Sequence, residues 1–231
     1  MKNVRMIFFD IDGTLLDHKG AEAEGIKAFY ESNGFDKLCN FESFKQAWVK
    51  YSDKNFNKFL NKECNFEEQR AMRIIDVYNE FNKKIEYKEA LEKFGDYLIA
   101  YERAWKAYDD VINCLKSLKG YKIGIISNGD YNQQIEKLKR MNIYTCFCDV
   151  VAAGEVGYAK PDSKIFEIAC ERNNIGINEA CYVGDNIKTD IVPAEAIGMK
   201  AVLIDRNKSN SVEGKINRIY SLNDLKMFIE G

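Results

Sequence analysis

Five short apolar runs constrain this chain more than any other feature of its sequence. They are Met6-Ile7-Phe8-Phe9, Ile123-Gly124-Ile125-Ile126, Val150-Val151-Ala152, Tyr182-Val183 and Ala201-Val202-Leu203-Ile204. None alternates polar with apolar residues, so both faces of each segment need covering, as in a parallel sheet packed between helices. Helix-like stretches separate the later runs. Ile135 and Leu138 mark one face of 131–141, and Ile165, Phe166, Ala169 and Cys170 one face of 162–173, with Pro161 where a helix can begin. From residue 106 onward the pattern is βαβα, which predicts an α/β core built on a doubly wound parallel sheet.

The stretch from Ala21 to Trp105 has a different texture. Phe44, Ala47, Trp48 and Tyr51 recur at helical spacing, as do Ile74, Tyr78 and Phe81, and Leu91, Phe94, Leu98 and Tyr101. Strand-like runs are absent there. The pattern predicts an all-helical domain of four or five helices over 19–105, inserted into a core formed by 1–18 and 106–231. Most of the chain's aromatic residues fall in this insertion, and their helical spacing favours a bundle core over a surface for stacking a base. Arg70 and Arg73 lie three apart near Glu67 and Glu68, a pattern that reads as a solvated face with intrahelical pairs.

Composition narrows the function. The net charge is −2 with no basic stripe, which argues against a partner that is a nucleic acid polymer. No apolar run reaches the ~18–20 residues of a membrane span, and no signal-peptide pattern opens the chain. Seven cysteines without regular spacing fit reduced thiols, so a cytoplasmic location is expected. Cys146 and Cys148 are read as core thiols rather than metal ligands. The single histidine, His18, leaves no material for a histidine-based triad or a multi-histidine zinc site. Catalysis here is expected to run on carboxylates.

Four polar clusters follow the core strands. Asp10-Ile11-Asp12-Gly13-Thr14 ends the first run, and carboxylates two apart on a strand share a face. Ser127-Asn128-Gly129 ends the second, a hydroxyl and an amide at a helix start where an anion could sit. Lys160-Pro161-Asp162 lies beyond the third. Gly184-Asp185-Asn186-Ile187-Lys188-Thr189-Asp190 follows the fourth, with two carboxylates able to hold a hard cation. Singly, each has an ordinary explanation: a solvated turn, a helix cap, a surface lysine, an acidic loop. Jointly they lie at the carboxyl ends of strands, where open α/β sheets bind ligands.

With these residues in view, FFDIDGTLLD at 8–17, ISNGD at 126–130, AKPD at 159–162 and VGDNIKTDI at 183–191 resemble the four motifs of the haloacid-dehalogenase-like hydrolase superfamily. The helical insertion resembles the cap of its subfamily I on a Rossmann-like core. The run SNGDYNQQIEKLK at 127–139 is similar to the branch with nucleotidase-like and acylneuraminate-9-phosphatase-like members. The resemblance implies that Asp10 attacks phosphorus and forms an aspartyl-phosphate, while Asp12 protonates the leaving oxygen and then activates water. It implies that Ser127, with backbone near Asn128, binds the transferring phosphoryl group, and that Lys160 is both a phosphate-binding and a catalytic residue, neutralising the phosphoryl charge and helping to orient Asp10. It implies Mg²⁺ held by the Asp10 carboxylate, the Asp12 backbone carbonyl and Asp185, with Asp190 supporting the metal site. Members that cleave carbon–halogen bonds lack the second aspartate, so Asp12 favours phosphate esters. Pro193 stands where relatives often carry glycine, a departure that bears on the packing of the helix after Asp190.

The expected partner is a small phosphate ester, either a nucleoside monophosphate or a sugar phosphate, with the protein a monomer or homodimer. The alternatives are a phosphomutase on the same core and a non-catalytic module that binds phosphorylated ligands.

Overall fold

The apolar runs pair side by side into one sheet. The strands are β1 (Met6–Phe9), β2 (Lys122–Ser127), β3 (Asp149–Ala152), β4 (Ala180–Gly184), β5 (Lys200–Ile204) and β6 (Arg218–Ile219), all parallel, in the order β3-β2-β1-β4-β5-β6. The computed structural model describes residues 3–208 and 216–231, so 209–215, placed in the core by sequence, lies outside the described residues. β1 sits between β2 and β4, with Phe9 in register with Ile125 on one side and Val183 on the other. All four of its side chains are fully buried. Each such burial is worth roughly 1.5–3 kcal/mol, which is why a run with no polar residue suits a central strand such as β1. β6 escaped the sequence reading because a two-residue edge strand carries no apolar run.

The chain forms two compact units, His18–Trp105 and Met1–Asp17 with Lys106–Gly231. The first is all helical: α1 (His18–Ser32), α2 (Phe41–Leu60), α3 (Phe66–Glu80) and α4 (Tyr87–Arg103), plus one 3-10 turn at Phe35–Lys37. Local sequence signals set its helix starts. Asn40 caps α2 by accepting from the Ser43 N–H, and Asn65 with Glu68 forms a capping box on α3. The aromatic residues form the bundle core: the Phe29 ring lies 5.0 Å from Trp48, Phe35 4.7 Å from Phe44, and Trp48 4.7 Å from Tyr97.

Two details of the bundle correct the sequence reading. On α4 the buried stripe is Ala90, Phe94, Tyr97 and Tyr101, so Tyr97 takes the inward place expected of Leu98. Arg73 is not on a solvated face. It is buried, hydrogen-bonded to Gln69 and stacked against Phe94 at 5.4 Å, because its aliphatic stem and planar head suit an aromatic wall.

The second unit adds α5 (Val111–Ser117), α6 (Tyr131–Arg140), α7 (Ala153–Val156), α8 (Lys164–Arg172), α9 (Val192–Ala196) and α10 (Leu225–Glu230). α8 starts at Lys164, later than the expected 162, because the Asp162 side chain accepts the Lys164 N–H and holds the approach to the helix as a turn. Pro193 falls in the first turn of α9, where its missing N–H costs nothing. Cys146 and Cys148 are exposed rather than core thiols, since they lie on the turn that leads up to β3. No helix among the described residues is long and apolar enough to cross a membrane.

A charged knot secures the loop that leaves β1. Arg206 donates to both Asp110 oxygens, at 2.9 and 3.0 Å, and to the Thr14 carbonyl at 2.7 Å, while stacking on Tyr108. Asp110 also accepts from the Ser221 hydroxyl and the Leu222 N–H. Burial alone would raise the Asp110 carboxyl, but these donors outweigh it and hold the group below its ordinary value. Since the folded-state value is the lower one, the stabilisation is complete above about pH 4 and is lost as pH falls through that lower value. Asp110→Ala should lower the unfolding free energy by about 3 kcal/mol at neutral pH, measured by urea titration, with the deficit shrinking in strong acid.

Candidate active site

Every residue singled out at the strand ends lies in the α/β unit, and the sheet order explains why they converge. Strand order reverses beside β1, and the carboxyl ends of β1, β2 and β4 meet there. Asp10 extends β1 by one ladder bond, its N–H donating to the Val183 carbonyl at 2.9 Å. Its side chain then turns inward and is only 8% exposed.

Lys160 is the hub. Its ammonium donates to Asp10 Oδ1 at 2.7 Å, to Asp190 Oδ1 at 2.8 Å and to the Tyr182 hydroxyl at 2.7 Å, using all three N–H bonds. Tyr182 in turn donates to the Ile126 carbonyl at 2.9 Å, so its oxygen is left to accept from the lysine. Burial opposes the charge, but the Asp10 and Asp190 carboxylates win and raise the lysine above its ordinary value. Asn128 delivers Lys160: its amide donates to the Lys160 carbonyl at 2.8 Å and accepts from the Lys160 N–H at 2.6 Å. The Asn128 side chain is therefore engaged with the lysine's backbone. Lys160-Pro161 is a cis peptide.

The fourth cluster folds as a turn of π-helix, Ile187–Ile191, feeding α9. Such turns recur at functional sites because they re-aim one side chain. Here that side chain is Asp190, which is buried, with Oδ2 accepting from the Asn186 N–H at 3.0 Å. A Cβ on Gly184 would overlap the Asp190 carboxylate, so residue 184 has to be glycine for Asp190 to sit there.

Asp10, Asp185 and Asp190 each offer a carboxylate oxygen within 4.8 Å of the others. Burial first, then Asp190, Asp185 and Asp12 against the opposing Lys160, push Asp10 up to about 8. Burial and Asp190 push Asp185 up to about 6. One ammonium is thus too little positive charge for the three. The hard-oxygen donor set and the unmet negative charge fit a small divalent cation such as Mg²⁺.

Asp12 lies apart from that triad. Lys137 contacts both its oxygens at 2.7 Å, and Gln134 donates to its Oδ2 at 3.2 Å and to Ser127 Oγ at 2.8 Å. Neither α6 residue was identified from sequence, although both lie in the run 127–139 that carried the branch resemblance. The sequence reading placed Ile135 and Leu138 inward. The structure buries Leu138 as expected but Gln134 and Lys137 more deeply than Ile135, because two polar side chains turn under the strand ends to meet Asp12 and Ser127.

Comparison with known proteins agrees with this geometry. The sequence matches the haloacid dehalogenase-like hydrolases over residues 4–198. The chain belongs to that family. It is 26% identical over 233 residues to a glyceraldehyde 3-phosphate phosphatase of Methanocaldococcus jannaschii, covering 98% of this chain and 96% of the relative. It is 29% identical over 210 residues to the enzyme of that name from Methanothermobacter thermautotrophicus, covering 87% and 86%. Its fold matches the HAD-hydrolase YfnB of Bacillus subtilis, solved bound to magnesium, with TM-score 0.83 at 19% identity over 99% of both chains.

The carboxylate triad gives a readout independent of catalysis. Mg²⁺ at about 100 times its dissociation constant should stabilise the fold by about 2.7 kcal/mol relative to EDTA, seen as a rise in Tm. Asp185→Ala should abolish most of that shift. An undiminished shift in the variant would place the ion elsewhere.

Proposed function

We propose that this chain is a Mg²⁺-dependent phosphomonoester hydrolase acting on a small phosphorylated metabolite, with a phosphorylated sugar as the leading substrate class. One observation carries the reading. Two aspartates two residues apart leave β1 into different surroundings, Asp10 beside a buried ammonium and two carboxylates, Asp12 beside Lys137 and Gln134. Two roles in two environments are what a two-step displacement requires. The relatives named as glyceraldehyde 3-phosphate phosphatases favour the sugar phosphate over the nucleoside monophosphate.

In the first step an Asp10 oxygen attacks phosphorus, the bond from phosphorus to the ester oxygen breaks, and Asp12 gives that oxygen its proton. In the second, water attacks the aspartyl-phosphate, Asp12 takes the water's proton, and inorganic phosphate leaves Asp10. Lys160 fixes the Asp10 carboxylate and offsets charge near the phosphoryl group. Ser127 donates to a phosphoryl oxygen. Asp10, Asp185 and Asp190 would hold Mg²⁺, which supplies charge neutralisation for the phosphoryl oxygens when bound.

A panel of phosphate esters, assayed with Mg²⁺ and with EDTA, tests the class. Turnover with Mg²⁺ that EDTA abolishes supports it. Isomerised product in place of free phosphate would make the protein a mutase, and binding without turnover a non-catalytic module. Asp12→Asn separates the steps. It should be nearly inactive on alkyl and sugar phosphates, a loss of about 10²–10⁴-fold. With p-nitrophenyl phosphate, whose leaving group needs no proton, it should release about one nitrophenolate per enzyme and stall. Intact mass should then show one added phosphoryl group. Steady turnover without a burst would remove Asp12 from its role.

A further inference from the structure

Lys137 is a buried charge that the proposed chemistry does not use. Only 3% of its side chain is exposed, against 28% for Asp12, and burying an ammonium is costly unless a partner compensates it. Its contacts are specific: the ammonium lies 2.7 Å from each Asp12 oxygen, so it grips the whole carboxylate rather than one edge. Gln134, one helical turn earlier, adds a second hold on Oδ2 at 3.2 Å. The same amide nitrogen donates to Ser127 Oγ at 2.8 Å. That bond also sets the polarity of Ser127. A hydroxyl accepting from Gln134 keeps its own proton for another acceptor, which is what a phosphoryl-binding serine needs.

The local backbone is shaped around this arrangement. Asp130 caps α6, accepting from the Gln133 N–H at 3.0 Å, so the helix starts immediately beyond Ser127-Asn128-Gly129. Residues 134 and 137, three apart, then share the face turned toward Asp12. A Cβ on Gly129 would overlap the Gln134 amide, so the glycine leaves the space that the amide fills.

We infer that Lys137 and Gln134 are positioning residues for proton transfer: together they hold the Asp12 carboxylate in one orientation and tie it rigidly to the phosphate-binding hydroxyl of Ser127. Lys137 acts through the Asp12 carboxylate, and Gln134 through that carboxylate and Ser127 Oγ. The inference rests on the proposed hydrolase reading and on Asp12 as its acid and base. A carboxylate that must meet the leaving oxygen and later a water gains from a fixed direction, and a misplacement of about 1 Å can cost about 10²-fold in rate.

The test is a double-mutant cycle read on two substrates. With a sugar phosphate, Lys137→Met should lower kcat by about 10²-fold while KM changes by less than about threefold, and Lys137→Arg should restore much of the loss. The second arm measures the nitrophenolate burst from p-nitrophenyl phosphate in the Asp12→Asn background. Because Lys137 acts only through Asp12, adding Lys137→Met there should leave the burst rate unchanged within about twofold. A lysine that merely holds α6 in place would slow the burst in that background too, by distorting Ser127, and that result overturns the inference. So does a Lys137→Met enzyme within about twofold of wild-type kcat. Lys137→Gln, which removes the charge and keeps a polar side chain, carries the same cycle if Lys137→Met melts below the assay temperature. Failure of the wild-type protein to turn over any ester would instead defeat the proposed function, and this inference with it.

Discussion

The site is organised around one buried ammonium. Lys160 comes from the connection after β3, yet its three N–H bonds end on residues from beyond β1, within β4 and beyond β4. A lysine so deeply placed needs this many acceptors to remain charged. Once they are supplied, it fixes the relative positions of the strand ends more tightly than the loops could alone. Asn128 extends the linkage to β2 by holding the lysine's backbone from both sides. The parallel sheet brings the strand ends close, and the lysine converts closeness into a definite geometry.

Charge explains what else the site needs. Four carboxylates, Asp10, Asp12, Asp185 and Asp190, face two ammonium groups, Lys160 and Lys137, and the lysines divide between them. Lys160 serves the triad side and Lys137 serves Asp12. The imbalance is concentrated on the triad, where Asp10 and Asp185 are both raised by burial and by their neighbours. A divalent cation there would restore balance before a phosphate, itself anionic, could enter. Asp12 lies outside the three-carboxylate cluster and has its own ammonium in Lys137, while its charge still adds to the field that raises Asp10 and Asp185.

Much of this was legible in the sequence, for physical reasons that can be named. Strands buried on both faces have to be apolar throughout, so β1, β2, β3, β4 and β5 announced themselves, and their polar ends marked the site. Asp10, Asp12, Ser127, Lys160, Asp185 and Asp190 stood out jointly, because every cluster follows a buried strand or lies in the loop beyond one, where open α/β sheets bind ligands. Lys137 and Gln134 did not, since on an amphipathic helix a lysine and a glutamine read as solvent-facing. Only three-dimensional packing shows that α6 turns them inward. Tyr182 was hidden for the opposite reason: an aromatic residue in an apolar run looks like core, and its hydroxyl partners come from distant segments. Arg73 shows the same limit in the helical unit, where spacing identified the helix but not which side of it met Phe94.

The glycines at 129 and 184 give the site an unusual experimental handle. Each lacks a methyl group where a polar side chain presses against the backbone, the Gln134 amide in one case and the Asp190 carboxylate in the other. Alanine at 184 would therefore act as a wedge beneath a carboxylate, and alanine at 129 as a wedge beneath the amide that links Asp12 to Ser127. Neither change alters the site's charge or removes a functional group. Two methyl groups could thus displace the carboxylate cluster and the Asp12–Ser127 linkage independently, separating displacement from deletion.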